Sequence, residues 1–240
     1  VRLRRVIQRV DSVNSNSKSS TPTPFYNLIG RYIFENYGRF KGRIISYKLN
    51  SKGELDKIFI SNNGVILYKT SSSIYIENGK VKIVPPPIKK AYKLLDELQY
   101  IFLQVKTLNN ILSIDSRYEH INKYYEIYRR RYEEFLDEIS KVVKELESRR
   151  RYLNRVIGDY KEGIFTLQME VESGRLEEDI YKICYNELSD EIIRLSTELE
   201  DVENLLSDIS SLSDEIGEVL RNIYNRISGV EVYRYEEEEV

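Results

Sequence analysis

The sequence has one cysteine, one histidine, one methionine, five prolines and no tryptophan in 240 residues. A lone Cys184 excludes an internal disulfide and a cysteine-based metal cluster. A lone His120 excludes metal sites built from several imidazoles and argues against imidazole catalysis. There is no apolar run of 18 residues, so no transmembrane helix is expected. The N-terminus is basic but lacks the apolar core of a signal peptide. These absences predict a soluble intracellular protein. There is no Walker motif, no GxGxxG and no nucleophile–histidine pair, so neither an enzyme nor a cofactor or metal is expected. Low Met, Cys and Gln with abundant Lys, Arg, Glu and Ile lean towards a thermophile's composition; the many asparagines weigh against it.

What is present is charge, unevenly placed. The net charge is −2. Residues 1–90 carry 17 Lys/Arg against 5 Asp/Glu, which is +12, and residues 91–240 carry 20 against 34, which is −14. The basic half therefore points at an anionic surface such as nucleic acid, lipid headgroups or an acidic protein. The bland alternative is that these lysines only solubilise a small domain.

Two heptad ladders occupy the second half. The first includes Tyr125, Tyr128, Tyr132, Phe135, Ile139, Val142, Leu146, Arg149 and Leu153. The second includes Leu195, Leu199, Val202, Leu206, Ile209, Ser213, Ile216 and Leu220. Each steps by 3 and 4 alternately with one polar intruder, Arg149 or Ser213. That is the seam of a coiled coil. A shorter seam precedes them: Ala91, Leu94, Leu98, Ile101, Val105, Leu108 and Leu112. The predicted helices run from about 88 to 112, 116 to 172 and 176 to 227, with Ser173-Gly174-Arg175 as the reversal. Near-equal lengths on either side of Gly174 favour an antiparallel hairpin over a parallel dimer. The tyrosines in the seam need hydroxyl partners or water, which argues against a tight dimer.

The chain divides into four parts. Residues 1–24 form a basic tail and linker. Arg2, Arg4, Arg5 and Arg9 flank an apolar stripe, a pattern that suits an anionic membrane surface; a frayed basic tail reads equally well. Residues 25–87 form a β domain, with strands of five to seven residues between turns at Asn50–Gly53, Asn62-Asn63-Gly64 and Asn78-Gly79. Residues 88–227 are the coiled-coil helices. Residues 228–240 begin at Ser228-Gly229, which closes the last helix. They then read as a strand, Val230-Glu231-Val232-Tyr233-Arg234-Tyr235, and an acidic tail. Such a strand has no local partner and needs a foreign sheet edge. A disordered acidic tail is the alternative.

Leu28-Ile29-Gly30-Arg31, Gly38-Arg39, Gly42 and Ile44 resemble the opening of a PRC-barrel domain, with Asn36 where that family often has Asp. The resemblance implies a small antiparallel β-barrel with turns at Gly30, Gly38 and Gly42. The expected fold is thus multidomain α and β, a PRC-type barrel followed by a long coiled coil. The order of parts is similar to the CdvA family of archaeal cell-division proteins. That resemblance implies a scaffold that assembles at the membrane at mid-cell. It implies recruitment of the winged-helix domain of an ESCRT-III-like protein, CdvB, through Val230, Val232, Tyr233, Arg234 and Tyr235. It also implies contact between copies. Two rivals stay open: DNA or RNA binding by the basic half, and a purely structural filament in which acidic coil meets basic head.

Overall fold

The computed structural model describes residues 25–38, 40–77, 80–114 and 120–237. The chain forms two compact units, residues 1–89 and 90–240. In the first, a single turn of 3-10 helix at Phe25–Leu28 leads into six strands: β1 (Tyr32–Glu35), β2 (Phe40–Leu49), β3 (Leu55–Asn62), β4 (Val65–Thr70), β5 (Ile74–Glu77) and β6 (Lys80–Ile83). They make one sheet in the order β4-β3-β2-β1-β6-β5.

Local chemistry sets the turns. Asn63 (φ 48°) and Gly64 (φ 81°) form the two-residue loop between β3 and β4. Positive φ at both central residues matches the twist of the flanking strands, and Asn-Gly tolerates it best. At the β2–β3 turn, the Asn50 side-chain oxygen accepts from the Lys52 and Glu54 amides at 2.9 and 3.0 Å. The inner face buries Leu28, Ile33, Ile44, Ile58, Ile60, Ile74, Val81 and Ile83, with Tyr47 and Leu55 packed beside them. That is a small core, marginal for a domain of this size.

Two expectations about the β domain need correction. The sheet is not a closed antiparallel barrel. β1 and β6 pair in parallel, Phe34 with Lys82 and Glu35 with Ile83. β4 and β5 stand at opposite ends of the strand order although only Ser71–Ser73 separates them in sequence. Three residues turn the chain but place β5 beyond bonding to β4, so the roll stays open at that seam. Nor is Gly42 a turn residue. Gly30 (φ 84°) and Gly38 (φ 91°) occupy turns, but Gly42 (φ 123°) lies inside β2 opposite Ile33, beside a bulge in the β1–β2 ladder. A Cβ there would collide with the Ser61 carbonyl and meet the Ile60 methyl at 2.9 Å. Glycine is required by close backbone approach.

Three helices follow: α1 (Pro86–Ile114), α2 (Ile121–Glu172) and α3 (Glu178–Glu237). Proline opens α1, where its missing N–H is no loss. α2 ends at Glu172 with Ser173 as its C-cap, and Gly174 (φ 73°) takes the left-handed position after it. The Arg175 amide then bonds back to the Glu170 carbonyl at 2.9 Å, satisfying an otherwise orphaned acceptor. Glu178 and Asp179 lie in the first turn of α3, where the helix dipole favours negative charge. Hydrogen bonding from Lys182, then its charge, holds the Glu178 carboxyl below its ordinary pKa.

α2 and α3 pack antiparallel as an intramolecular hairpin. Tyr125 meets Tyr224, Tyr132 meets Ser213, and Arg149 meets Glu198. The residue numbers of each pair sum to nearly the same value, as a reversal at Gly174 demands. Gly163 does not interrupt α2. A Cβ at that position would stand 3.7 Å from Leu188 Cδ1, an ordinary contact, so the helix approach does not require glycine there. α1 runs antiparallel to α2, with Lys90 bonded to Glu145 at 2.7 Å and Arg131 over the Tyr100 ring at 5.3 Å. The other end of α1 touches α3, where Arg226 donates to the Ser113 hydroxyl at 2.7 Å. A three-helix bundle therefore covers about residues 90–145 and 203–226. Beyond it the α2–α3 hairpin continues alone.

One further correction concerns the C-terminus. The strand expected at Val230–Tyr235 is absent, and the α3 backbone remains helical to Glu237. Without a sheet edge to pair with, backbone donors here find carbonyl partners one turn back instead. Glycine at 229 costs about 1 kcal/mol in a helix but does not forbid it. The first helix is expected at about 88–112 and found at Pro86–Ile114, and the third starts at Glu178 where about 176 is expected; the start expected at about 116 for the second lies outside the described residues.

Candidate interaction site

The seam assembles as its periodicity predicts. Val142, Leu146, Leu195, Val202 and Ile209 are buried, and Tyr132, Phe135, Ile139, Leu199 and Leu206 are half-buried. Every member of the α1 seam, from Ala91 to Leu112, is buried. Burial persists past the reach of α1 to Ile157 and Leu195 and fades only towards the turn. Among the described residues, none from 158 to 194 is fully buried. Leu153, Ile157, Leu195 and Glu198 are buried between α2 and α3 beyond the three-helix part, and burial is lost only nearer the turn.

Both polar intruders in the ladders bond across the hairpin. The Tyr132 hydroxyl lies 2.8 Å from the Ser213 carbonyl, to which it donates, and 2.8 Å from the Ser213 hydroxyl. Gly217 leaves room beside it, since a Cβ there would lie 3.8 Å from the Tyr132 oxygen. Arg149 donates through Nε to Glu198 at 2.7 Å, and its guanidinium lies 5.0 Å from the Tyr152 ring centroid. Glu198 is only 4% exposed. The sequence reading missed Glu198 because it lies off the apolar ladder. The signal was Arg149 itself, a charge in a seam that needs a partner. In α1, burial pushes the Asp96 carboxyl above its ordinary value, and the neighbouring Glu97 charge adds to the effect.

The sheet unit offers a different surface. β4 is an edge strand, and Val65, Ile66, Leu67 and Tyr68 are all exposed. Tyr68 carries the Lys57 ammonium 5.3 Å from its ring centroid. On β1 and β2, exposed Tyr32 accepts from Arg43 Nη2 at 2.7 Å and stacks against the same guanidinium at 4.8 Å. The sequence reading gave β4 as a strand but did not foresee its exposure, because alternation cannot say which strand stands last in a sheet.

The remaining predicted site residues lie elsewhere. Arg2, Arg4, Arg5 and Arg9 fall outside the described residues. Val230, Val232, Tyr233, Arg234 and Tyr235 lie on the last turns of α3. No described helix is long and apolar enough to cross a membrane.

The family model for the CdvA-like coiled-coil domain matches residues 89–226, which is almost the whole run from the start of α1 to the end of the packed part of α3. No curated protein and no solved structure matches the chain.

Proposed function

The chain belongs to the CdvA-like coiled-coil family, a cell-division-related protein, and from that premise we propose that it is a non-enzymatic division scaffold. In this reading copies assemble on an anionic membrane surface at mid-cell, on the cytoplasmic side. The C-terminal segment recruits an ESCRT-III-like protein of the CdvB kind through its winged-helix domain. The observation that carries the reading is the family match over residues 89–226, centred on a helical hairpin pinned by Arg149–Glu198 and Tyr132–Ser213.

The helical state of residues 230–237 bears on how recruitment would work. Val230, Val232, Tyr233 and Tyr235 are weak helix formers, each less favourable than alanine by about 0.5 kcal/mol. A terminal helical stretch of this composition unwinds at small cost. Once unwound, its backbone supplies the row of donors and acceptors that a sheet edge pairs with. The acidic Glu236–Glu239 would then lie against a basic rim on the partner.

Calorimetric titration of the full chain, and of residues 1–227, into the winged-helix region of an ESCRT-III-like protein tests this. The full chain should bind and the truncation should not. Ellipticity at 222 nm should fall on binding, by the helix lost from the last turns. Binding with no loss of helix would mean recognition of an intact helix. Equal binding by both chains would remove the C-terminal segment from the account. For the basic half, co-sedimentation with anionic vesicles should fall with added salt and be absent with neutral ones.

A further inference from the structure

Among the described residues, the edge of β4 is an apolar and exposed surface of the sheet unit. Val65, Ile66, Leu67 and Tyr68 are exposed at 58, 66, 40 and 62%. They lie on both faces. Leu67 stands opposite the core residue Ile60, whereas Ile66 and Tyr68 stand opposite Ser61 and Phe59 on the other face. Natural sheets blunt such edges with proline, bulges or charged side chains, lysine above all. β4 contains no proline. Its ladder with β3 runs from Thr70 to Asn62 without a register shift, although the β1–β2 and β2–β3 ladders both have one. Its one charge is Lys69. Lys69 guards only the end of the strand, so the exposed run of residues 65–68 is a template for another strand.

We propose that β4 pairs antiparallel with β4 of a second copy of this chain, joining two sheets across a two-fold axis. The strand is complementary to itself. In the register centred on Leu67, Ile66 of each copy lies opposite Tyr68 of the other, a β-branched–aromatic pair of the kind that stabilises sheets. Lys69 lies opposite Val65, so the single charge never meets its own copy. A two-fold contact needs one patch only, and this strand supplies it. Residues 25–89 carry 11 Lys/Arg against 4 Asp/Glu, which is +7. Two such units repel one another, so added salt strengthens the contact. Attraction between acidic coil and basic head would respond in the opposite sense. The inference rests on the proposed self-assembly only in requiring that copies meet, and it names where they meet.

The experiment compares full-length wild type, Ile66→Lys and Leu67→Lys by analytical ultracentrifugation at low and high salt. Leu67→Lys puts like charges face to face on the axis, and Ile66→Lys changes an outer-face side chain that does not reach the core. Both should raise the dissociation constant about tenfold or more, with circular dichroism unchanged. In a Cys184→Ser background, Leu67→Cys should oxidise to a covalent dimer and Ile66→Cys should not, because residues 66 of the two copies lie diagonally apart. If wild type associates but both lysine variants match it and Leu67→Cys stays monomeric, β4 is not the contact while self-assembly stands. If wild type is monomeric at every concentration and salt, both readings fall.

Discussion

Replacing Arg149 by methionine would leave the Glu198 carboxylate buried with its guanidinium gone. Glu198 has a side-chain exposure of 6% and Arg149 of 28%, and their N–O distance is 2.7 Å. Removing one partner of a buried pair costs about 3–5 kcal/mol, because the other charge stays behind. Arg149 is reachable by water on one side, which favours the low end, about 3 kcal/mol. Loss of the guanidinium from the Tyr152 ring adds about 0.5 kcal/mol. The double variant R149M/E198L removes both charges and should come within about 1 kcal/mol of wild type. Urea unfolding followed at 222 nm, where the helices dominate, gives the four corners of a double-mutant cycle. The expected coupling is about 2–3 kcal/mol. If R149M costs less than about 1 kcal/mol and the two single effects simply add, the pair is a surface ornament and the argument for a buried pin fails.

Tyr132→Phe should cost about 1 kcal/mol in the same assay, the typical net worth of the bond to Ser213, while Ser213→Ala changes little because the Ser213 carbonyl remains. Gly42→Ala should disrupt the sheet unit by about 2–4 kcal/mol, from positive φ and collision with the Ser61 carbonyl; a loss of β-sheet amide protection with the helical signal intact would report it. Asp96→Asn should stabilise the protein at neutral pH. The folded-state pKa of Asp96 is raised above the ordinary 3.8, so its ionised form costs stability above that raised value and the cost is relieved as pH falls towards 3.8. The advantage of Asp96→Asn should therefore shrink on acidification, and a constant gap from pH 7 to 4 would refute the assignment. Hydrogen exchange should be fastest, within the hairpin, between residues 158 and 194, where no described residue is fully buried.

The helical unit was legible because heptad periodicity is a one-dimensional signal. Leu146, Leu153, Val202 and Ile216 follow from spacing alone, and Gly174 marks the reversal through its backbone. The Asn63-Gly64 loop was legible for the same local reason. Strand order was not. The open seam between β4 and β5 and the parallel β1–β6 pair depend on contacts distant in sequence, for which alternation carries no information. A second glycine near Gly38 looks like turn punctuation, but the need for glycine at 42 is steric and comes from Ser61, nineteen residues on. The C-terminal segment differs for an energetic reason. Val230 to Tyr235 prefer a strand, but a strand without a neighbour leaves its amides unpaired, and the helix pairs them at once.

The hairpin also fixes how the protein responds to dilution. A coiled coil formed between two chains melts at lower temperature as concentration falls, since its seam exists only in the complex. Here the seam of α2 is closed by α3 of the same molecule, so its folding is unimolecular. Tm of the helical unit should be the same at micromolar and nanomolar concentration. Copies can then meet and part with their helices intact, and turnover of an assembly carries no cost of refolding.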